Sequence, residues 1–241
     1  MTAEEKLELL QSKSVNDRAT ALRDYEAEGQ LDDIELLLEI AQKDPSIAIR
    51  NHAADAISDI LSRYRLDPAK KALSLQERKE LLHRFRKVPV SQNSTIYLMY
   101  AALGIPQVYP ILISGFFDSR TELRVCSAIG LKCFCLSADL LGNEEIEAKV
   151  VGLLQNSRLN WDSVAHVARV CAEAGYVSAL PILRNIPTEE GLIQEALSAA
   201  IGQLEKAQQR PVGFWSSDGL DAVEFNPLAR SESQYLLVSE S

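Results

Sequence analysis

The sequence predicts an all-α protein, and three of its properties lead to that prediction. Of its 241 residues, 46% are hydrophobic and 24% are charged, which is the composition of a folded chain. Only 6% are aromatic and only 11 are glycine, while Ala, Leu, Ile and Glu fill the long stretches and favour helices over strands. The third property is an internal repeat, which extends the prediction to an α-solenoid of about six helical hairpins followed by an irregular C-terminal tail.

The repeating unit is an aspartate followed six positions later by an arginine, with small residues after the arginine. Asp44 and Arg50 form the first copy, and Asp118 and Arg124 form the second. A third, weaker copy has Gln194 in place of the arginine. The offsets of 74 residues between the aspartates and 70 residues between Arg124 and Gln194 become 37 and 35 if each interval holds one diverged repeat. That period is typical of helical-hairpin arrays.

Apolar periodicity and helix-ending residues predict twelve helices in six antiparallel pairs. The predicted helices span residues 3–11, 16–28, 31–43, 46–63, 74–87, 91–103, 106–117, 120–137, 143–156, 161–174, 177–186 and 189–206. Proline cannot continue a helix, and glycine or asparagine favours a turn or a cap. Breaks of this kind occur at Asp44-Pro45, Asp67-Pro68, Gly142-Asn143, Gly175 and Ile186-Pro187.

The chain divides into a helical domain, residues 1–207, and a tail, residues 208–241. The tail has no helical period and contains four prolines or glycines. Either it folds back over the last hairpin or it binds a partner as a short linear motif. We favour docking, with Phe214, Trp215 and Phe225 as anchors, because free aromatic side chains in water promote association.

The repeating unit and the Ala-Leu-Pro-Ile-Leu stretch at 179–183 resemble HEAT-repeat proteins, especially the short bacterial type called PBS-lyase-like repeats. The resemblance covers about residues 16–206 and specifies the fold better than the function. It implies that the arginine of one repeat binds the aspartate of a neighbour. The ladder implied in this way consists of Asp44, Arg50, Asp118 and Arg124. Gln194 would end that ladder, as expected of a terminal repeat.

Composition also limits the partners and the compartment. A formal net charge of -9 argues against a nucleic-acid partner and against an anionic membrane surface. The N-terminus lacks the apolar stretch of a signal peptide, and no uncharged apolar run approaches the roughly 20 residues of a membrane helix. The four cysteines lie in apolar helical sequence, as reduced cysteines of cytosolic proteins do. We therefore expect a cytoplasmic protein that binds no membrane.

One segment departs from the acidic average. Residues 63–87 carry nine basic and three acidic side chains, a net charge of +6, whereas residues 1–62 carry six basic and fourteen acidic ones. A helix that is solvated on its basic face is the first interpretation of this basic band. A site for an anion or an acidic partner is the second.

Metal binding is a candidate chemistry because Cys133, Cys135, Cys171 and His166 are possible zinc ligands. Two positions apart on a helix, Cys133 and Cys135 point in divergent directions within an apolar run, so core packing is the better interpretation. Iron-dependent hydroxylases built from similar repeats use His-Glu dipeptides, and none of the three histidines here precedes a glutamate. We expect no metal and no other cofactor.

Two polar stripes are the candidate functional surface. On one predicted helix Asp162, His166, Arg169 and Glu173 share a face, and on another His52, Asp55, Asp59 and Arg63 do. No nucleophile or metal ligand is visibly paired with either stripe, so general-base chemistry lacks its other groups. Solvated faces are one interpretation, and protein binding by the concave wall of a solenoid is the other. The predicted contacts are His52, Asp55, Asp59, Asp162, His166 and Arg169.

Three functions follow as hypotheses. The preferred one is a non-enzymatic protein-binding scaffold or adaptor, for example an inhibitor or immunity-type protein whose acidity suits a basic target. The resemblance also permits a bilin lyase-like protein that handles a chromophore, although no residue identifies a tetrapyrrole site. The remote alternative is a HEAT-like alkylpurine DNA glycosylase that uses Trp161 and Asp162, but such an enzyme needs a basic concave surface.

Overall fold

The computed structural model describes residues 1–66, 69–88, 95–137, 140, 142–187 and 191–208. These residues are helical and contain no strand, which confirms the all-α prediction. The predicted tail, with its anchors Phe214, Trp215 and Phe225, lies outside them. Among the described helices none has the length and apolar character needed to cross a membrane.

Each of the twelve predicted helices overlaps an observed α-helix. The observed helices are α1 (Ala3–Leu10), α2 (Val15–Glu28), α3 (Ile34–Lys43), α4 (Ile47–Leu66), α5 (Leu75–Phe85), α6 (Ile96–Ala102), α7 (Tyr109–Ser114), α8 (Thr121–Cys135), α9 (Glu144–Leu153), α10 (Trp161–Ala174), α11 (Leu180–Leu183) and α12 (Gly191–Gln208). Short 3-10 turns precede α3, α7 and α11 and follow α7, which accounts for the shorter observed α-helices in those regions.

The ends of α10 show how local sequence places the helix that carries one of the polar stripes. The side chain of Asn160 accepts a hydrogen bond from the Ser163 N–H at 2.8 Å and so satisfies one of the first free amides. Gly175 ends the helix with φ of 72°, a conformation that glycine adopts without steric cost. Both signals are readable in the sequence, and α10 has the predicted bounds.

Two kinds of packing organise the helices. Consecutive helices pack as pairs: α1 with α2, α3 with α4, α7 with α8, α9 with α10 and α11 with α12. The helices α2, α4, α6, α8, α10 and α12, here called the second helices, also pack on one another in series, each on the next. The second helices therefore form one continuous row.

Contacts at the helix ends show that neighbours in this row run in the same direction. Near the end of α4, Arg63 donates to the Gly29 carbonyl at 2.9 Å, just after the end of α2. At the start of α4, the Asn51 carbonyl accepts from Thr95 Oγ1 at 3.0 Å, next to the start of α6. The starts of α4 and α6 lie together and the ends of α2 and α4 lie together, so the N-termini of α2, α4 and α6 lie along one edge.

One close approach along the row is between α6 and α8 at Gly130. A Cβ atom at this position would lie 2.9 Å from both the Cβ and the carbonyl oxygen of Tyr97, so the backbones meet where only glycine fits. Tyr97 is itself buried, and it cannot move aside without opening the core. By contrast, a Cβ at Gly202 in α12 would meet nothing within 4 Å.

Gly130→Ala should therefore destabilise the protein, although alanine is the better helix former. We expect the free energy of unfolding to fall by about 1–3 kcal/mol, because the added methyl group overpacks the α6–α8 contact. The matched control Gly202→Ala should raise it by about 0.5–1 kcal/mol, since there the helix propensity acts alone. Urea denaturation of both variants measures the difference. Equal effects of the two substitutions would show that α6 and α8 do not approach closely at Gly130.

Candidate functional site

Three arginines make the same local contact in three second helices: Arg18 in α2, Arg50 in α4 and Arg124 in α8. In each case Nη1 donates to the main-chain carbonyl six residues earlier. The acceptors are the carbonyl oxygens of Ser12 at 2.8 Å, Asp44 at 2.6 Å and Asp118 at 3.0 Å. Each of these contacts spans six residues, which is the spacing from aspartate to arginine in the sequence repeat. Sequence reasoning missed Arg18 because Ser12 stands where the other copies have aspartate.

Two of these arginines, Arg18 and Arg124, also bind an aspartate of the next helix pair, and neither of these two pairs lies within the predicted ladder of Asp44, Arg50, Asp118 and Arg124. Arg18 Nε lies 2.9 Å from Asp44 Oδ2, and Arg18 Nη2 donates to Asp44 Oδ1 at 3.2 Å. The two side chains are only 9% and 8% exposed. Arg124 Nη2 donates to Asp162 Oδ2 at 3.3 Å, and the Asp162 side chain is 59% exposed. The ladder thus links α2 to the start of α4 and α8 to α10.

Asp118 departs from the implied ladder. Its two carboxylate oxygens accept from Arg120, from Nε at 3.0 Å and from Nη2 at 3.1 Å. The Arg120 guanidinium lowers the pKa of the Asp118 carboxyl to about 2. Arg120 is only two residues away and reaches the carboxylate without crossing to another helix, so the Asp118 side chain is engaged locally. Only its carbonyl group contacts Arg124.

The candidate residues on α4 are more buried, and interact more with the rest of the chain, than residues on a solvated helix face. His52 Nε2 lies 2.8 Å from a carboxylate oxygen of Glu26 in α2, and both side chains are mostly buried. Asp55 and Asp59 are half-buried, and each takes part in further interactions within the chain. This part of the stripe therefore joins α2 to α4 as well as facing outward.

The candidate residues on α10 form part of a small depression between α8 and α10. Its apolar floor and polar rim come from both helices. The lining residues are Val125, Ala128, Ile129, Lys132, His166, Arg169, Val170 and Glu173. His166 is half-buried, and burial lowers the pKa of its imidazole. It therefore presents a neutral ring at the rim near neutral pH.

Glu173 fixes the charges at the rim of this depression. One of its oxygens lies 3.2 Å from Lys132 Nζ on α8, and the other accepts from Arg169 Nε at 3.1 Å. Two cations thus share one carboxylate, which leaves the rim with a net positive charge on an otherwise acidic protein. Such a rim can bind an anionic group placed beside an apolar one.

The structure does not bring the six candidate residues into one site. Those on α4 and those on α10 are separated in the row by α6 and α8. They form two groups on the same row of helices, each joined to a neighbouring helix by ion pairs. A small ligand could contact one group, whereas only a macromolecule could contact both.

The basic band has a structural function that the sequence analysis did not anticipate. Arg63 donates to carbonyls at the end of α2, while Arg65 and Arg78 donate to the carbonyls of Ala102 and Leu103 at 3.4 and 3.2 Å, where α6 ends. The last carbonyls of a helix lack partners within it and carry partial negative charge, so cations stabilise them. Three of the nine basic side chains in residues 63–87, those of Arg63, Arg65 and Arg78, therefore bind helix ends.

The described residues hold no cluster of three or more His, Cys, Asp or Glu side chains suited to a metal ion. Cys135 and Cys171 are buried, and burial raises the pKa of both thiols, that of Cys135 to about 12. Such thiols are protonated at neutral pH and pack as small apolar groups, in agreement with the core interpretation.

A scan against protein-family models and a search of curated proteins both found no match for this chain. The interpretation of the site consequently depends on its geometry. That geometry consists of a row of packed helices, two groups of paired polar residues and one depression between α8 and α10.

Asp44→Ala and Asp162→Ala remove equivalent carboxylates from two different environments, and their effects should differ. Loss of Asp44 leaves Arg18 buried beside no carboxylate, so we expect the free energy of unfolding to fall by about 3 kcal/mol. Loss of the exposed Asp162 should cost less than about 1 kcal/mol, because water replaces it and Arg124 keeps its carbonyl acceptors. Urea denaturation tests both. A loss of less than about 1 kcal/mol for Asp44→Ala would show that the ion pair of Asp44 with Arg18 does not stabilise the array.

Proposed function

We propose that this chain is a non-enzymatic protein-binding scaffold, a HEAT-like α-solenoid of about six hairpins whose second helices form the binding surface. The observation that carries the proposal is the row itself, in which each second helix packs on the next. In such arrays the helices of one row line the concave wall and present parallel rows of side chains to a single ligand. The arginine contact repeated in α2, α4 and α8 supports a common ancestry of the hairpins.

The depression between α8 and α10 is the proposed anchor point for a partner side chain. Its apolar floor offers a surface that a side chain can cover, and Arg169 and Lys132 stand at its rim. Exposed Trp161 lies at the start of α10. Tryptophan and arginine are enriched among the residues that dominate binding energy at protein interfaces, so this region suits a protein partner.

The partner's charge follows from the rest of the row. The chain carries a net charge of -9, and the acidic excess is largest in residues 1–62, which include Asp55 and Asp59 of α4. A partner that is basic opposite α4 would be attracted at long range and oriented on approach. The positive rim on α10 would then contact an acidic or neutral part of the same partner. Inhibitors and immunity-type proteins that bind a basic target have this charge relation.

The described residues offer no specific support to either enzymatic alternative. The glycosylase hypothesis needs a free carboxylate at Asp162, and that carboxylate is bound by Arg124. The bilin hypothesis needs a pocket large enough for a tetrapyrrole, whereas the depression beside His166 is lined by only eight residues and lies open between two helices. The protein-binding proposal requires neither feature.

The charge dependence of association tests the proposal once a partner has been captured by affinity purification and identified by mass spectrometry. Asp55→Asn with Asp59→Asn removes two charges from α4 without changing side-chain size, which matters because both residues are half-buried. We expect association at low salt to slow by about two- to tenfold, and its dependence on ionic strength to weaken.

The matched control is Glu4→Gln with Glu8→Gln on α1. It removes the same charge from two exposed positions with the same spacing, but from the first helix of its pair. The control should associate nearly as fast as the parent protein. If the two double variants associate at the same rate, the partner does not bind the second helices, and the proposal is wrong.

A further inference from the structure

The depression between α8 and α10 is small, and its size limits what can enter it. Its free volume is about 60 Å³. A cavity of about 150 Å³ holds a benzene molecule, so a space of this size accepts a few aliphatic carbons and no aromatic ring. The apolar floor is formed by Val125, Ala128, Ile129 and Val170. It therefore fits one small aliphatic side chain.

The two cations at the rim keep hydrogen-bond donors that no described residue occupies. Among the described residues Arg169 donates to Glu173 from Nε alone, and its side chain is 66% exposed. A guanidinium has five N–H donors, so those on the two terminal nitrogens remain. Lys132 has three N–H donors and faces one oxygen of Glu173 at 3.2 Å. A second carboxylate, with two acceptor oxygens, matches the remaining donors in charge and geometry.

The carboxylate and the aliphatic side chain must enter the depression together, which favours the C-terminal residue of a chain over an internal acidic residue. In a C-terminal residue both groups are attached to the same Cα atom. In an extended internal segment successive side chains point to opposite faces, and the next one on the same face lies about 6.6 Å further on. That separation spreads the two groups beyond a depression of this volume.

The charge of the surrounding surface favours the same ligand. Lys132 and Arg169 share the single carboxylate of Glu173, so the rim keeps one positive charge. The chain as a whole carries a net charge of -9. A carboxylate is therefore repelled by most of the surface and attracted at this rim, which directs a free C-terminus to one place in the row of second helices.

We propose that the depression between α8 and α10 binds the C-terminal residue of the partner protein. A small aliphatic side chain lies on the apolar floor, and the α-carboxylate lies between Arg169 and Lys132. Glu173 holds both cations at the rim before the ligand arrives. This inference rests on the proposed function, because it names the part of the partner that the anchor point receives.

A chemical-shift titration of the full-length, ¹⁵N-labelled chain with short peptides tests the proposal without the partner. The probe is an acetylated tetrapeptide of glycine, serine, glycine and valine with a free C-terminal carboxylate. We expect saturable shifts at the backbone amides of Ile129, Arg169 and Val170. The same peptide as a C-terminal amide, and a free-acid peptide that ends in glycine, should each bind at least about fivefold more weakly, because each lacks one of the two recognised groups.

Two further probes separate a C-terminus from other sources of a carboxylate. One is an amidated peptide with an internal aspartate two residues before an internal valine. The other is isovalerate, a small aliphatic carboxylate without a peptide chain. Both should bind more weakly than the free-acid tetrapeptide, the first because its two groups are too far apart and the second because it lacks main-chain contacts. If either binds as tightly as the tetrapeptide, the depression does not recognise a C-terminus.

Arg169→Gln should weaken binding of the free-acid tetrapeptide by at least about fivefold, because it removes a charged donor pair from the rim. The matched control is Arg184→Gln. Arg184 is also an exposed arginine bound to one glutamate, Glu205 at 2.6 Å, but it lies on α11 outside the depression. This control should leave binding unchanged, and circular dichroism should show the same helix content in both variants.

The absence of shifts in the depression at about 10 mM free-acid tetrapeptide would overturn the proposal, as would binding that Arg169→Gln leaves unchanged. Either result would leave the scaffold proposal standing, because that proposal is tested by the Asp55 and Asp59 variants on the intact partner.

Discussion

The close parallel packing of the second helices is the constraint on which the rest of the structure depends. Six helices can lie side by side in one row only if their backbones approach closely and their ends are satisfied. Gly130 permits the approach of α6 to α8, and arginines satisfy the ends. Arg18 and Arg124 bind across the starts of the second helices, while Arg63 and Arg65 bind carbonyls where α2 and α6 end. The guanidinium has five donors in a fixed plane, so one side chain can join a carboxylate and several carbonyls at once, which lysine cannot.

This constraint also shapes the candidate binding surface. Polar side chains on the exposed side of the row are shared between neighbouring helices: His52 contacts Glu26 of α2, and Glu173 contacts Lys132 of α8. Such contacts hold the side chains in place before any partner arrives. Pre-ordered side chains lose less conformational entropy on binding, which favours affinity without a larger interface. The groups that stabilise the row are therefore the same groups that the proposed recognition would use.

Local features of the fold could be predicted from the sequence, and contacts between distant residues could not. Helix positions, the caps of α10 and the six-residue spacing from aspartate to arginine are local, and the structure has them where the sequence indicates. The partners of Arg18 and Arg124 are 26 and 38 residues away, so no short-range pattern specifies them.

The same distinction applies to the candidate site. Helical spacing correctly placed Asp162, His166 and Arg169 on α10, but it could not show that Arg124 binds Asp162 or that α8 forms half of the depression. The basic band is a further example. Its composition suggested a solvated face or an anion site, whereas the acceptors of Arg65 and Arg78 are helix-end carbonyls that only the tertiary fold brings near.

The central claim is that a protein partner covers the exposed side of the second helices, and hydroxyl-radical footprinting of the complex tests it most directly. Side-chain oxidation should slow on binding at Val125, Ile129 and His166, which line the depression between α8 and α10. Leu7 on α1 and Leu75 on α5 are exposed apolar side chains outside the row, and their oxidation should be unchanged. Protection of Leu7 or Leu75 without protection of the depression would contradict the account.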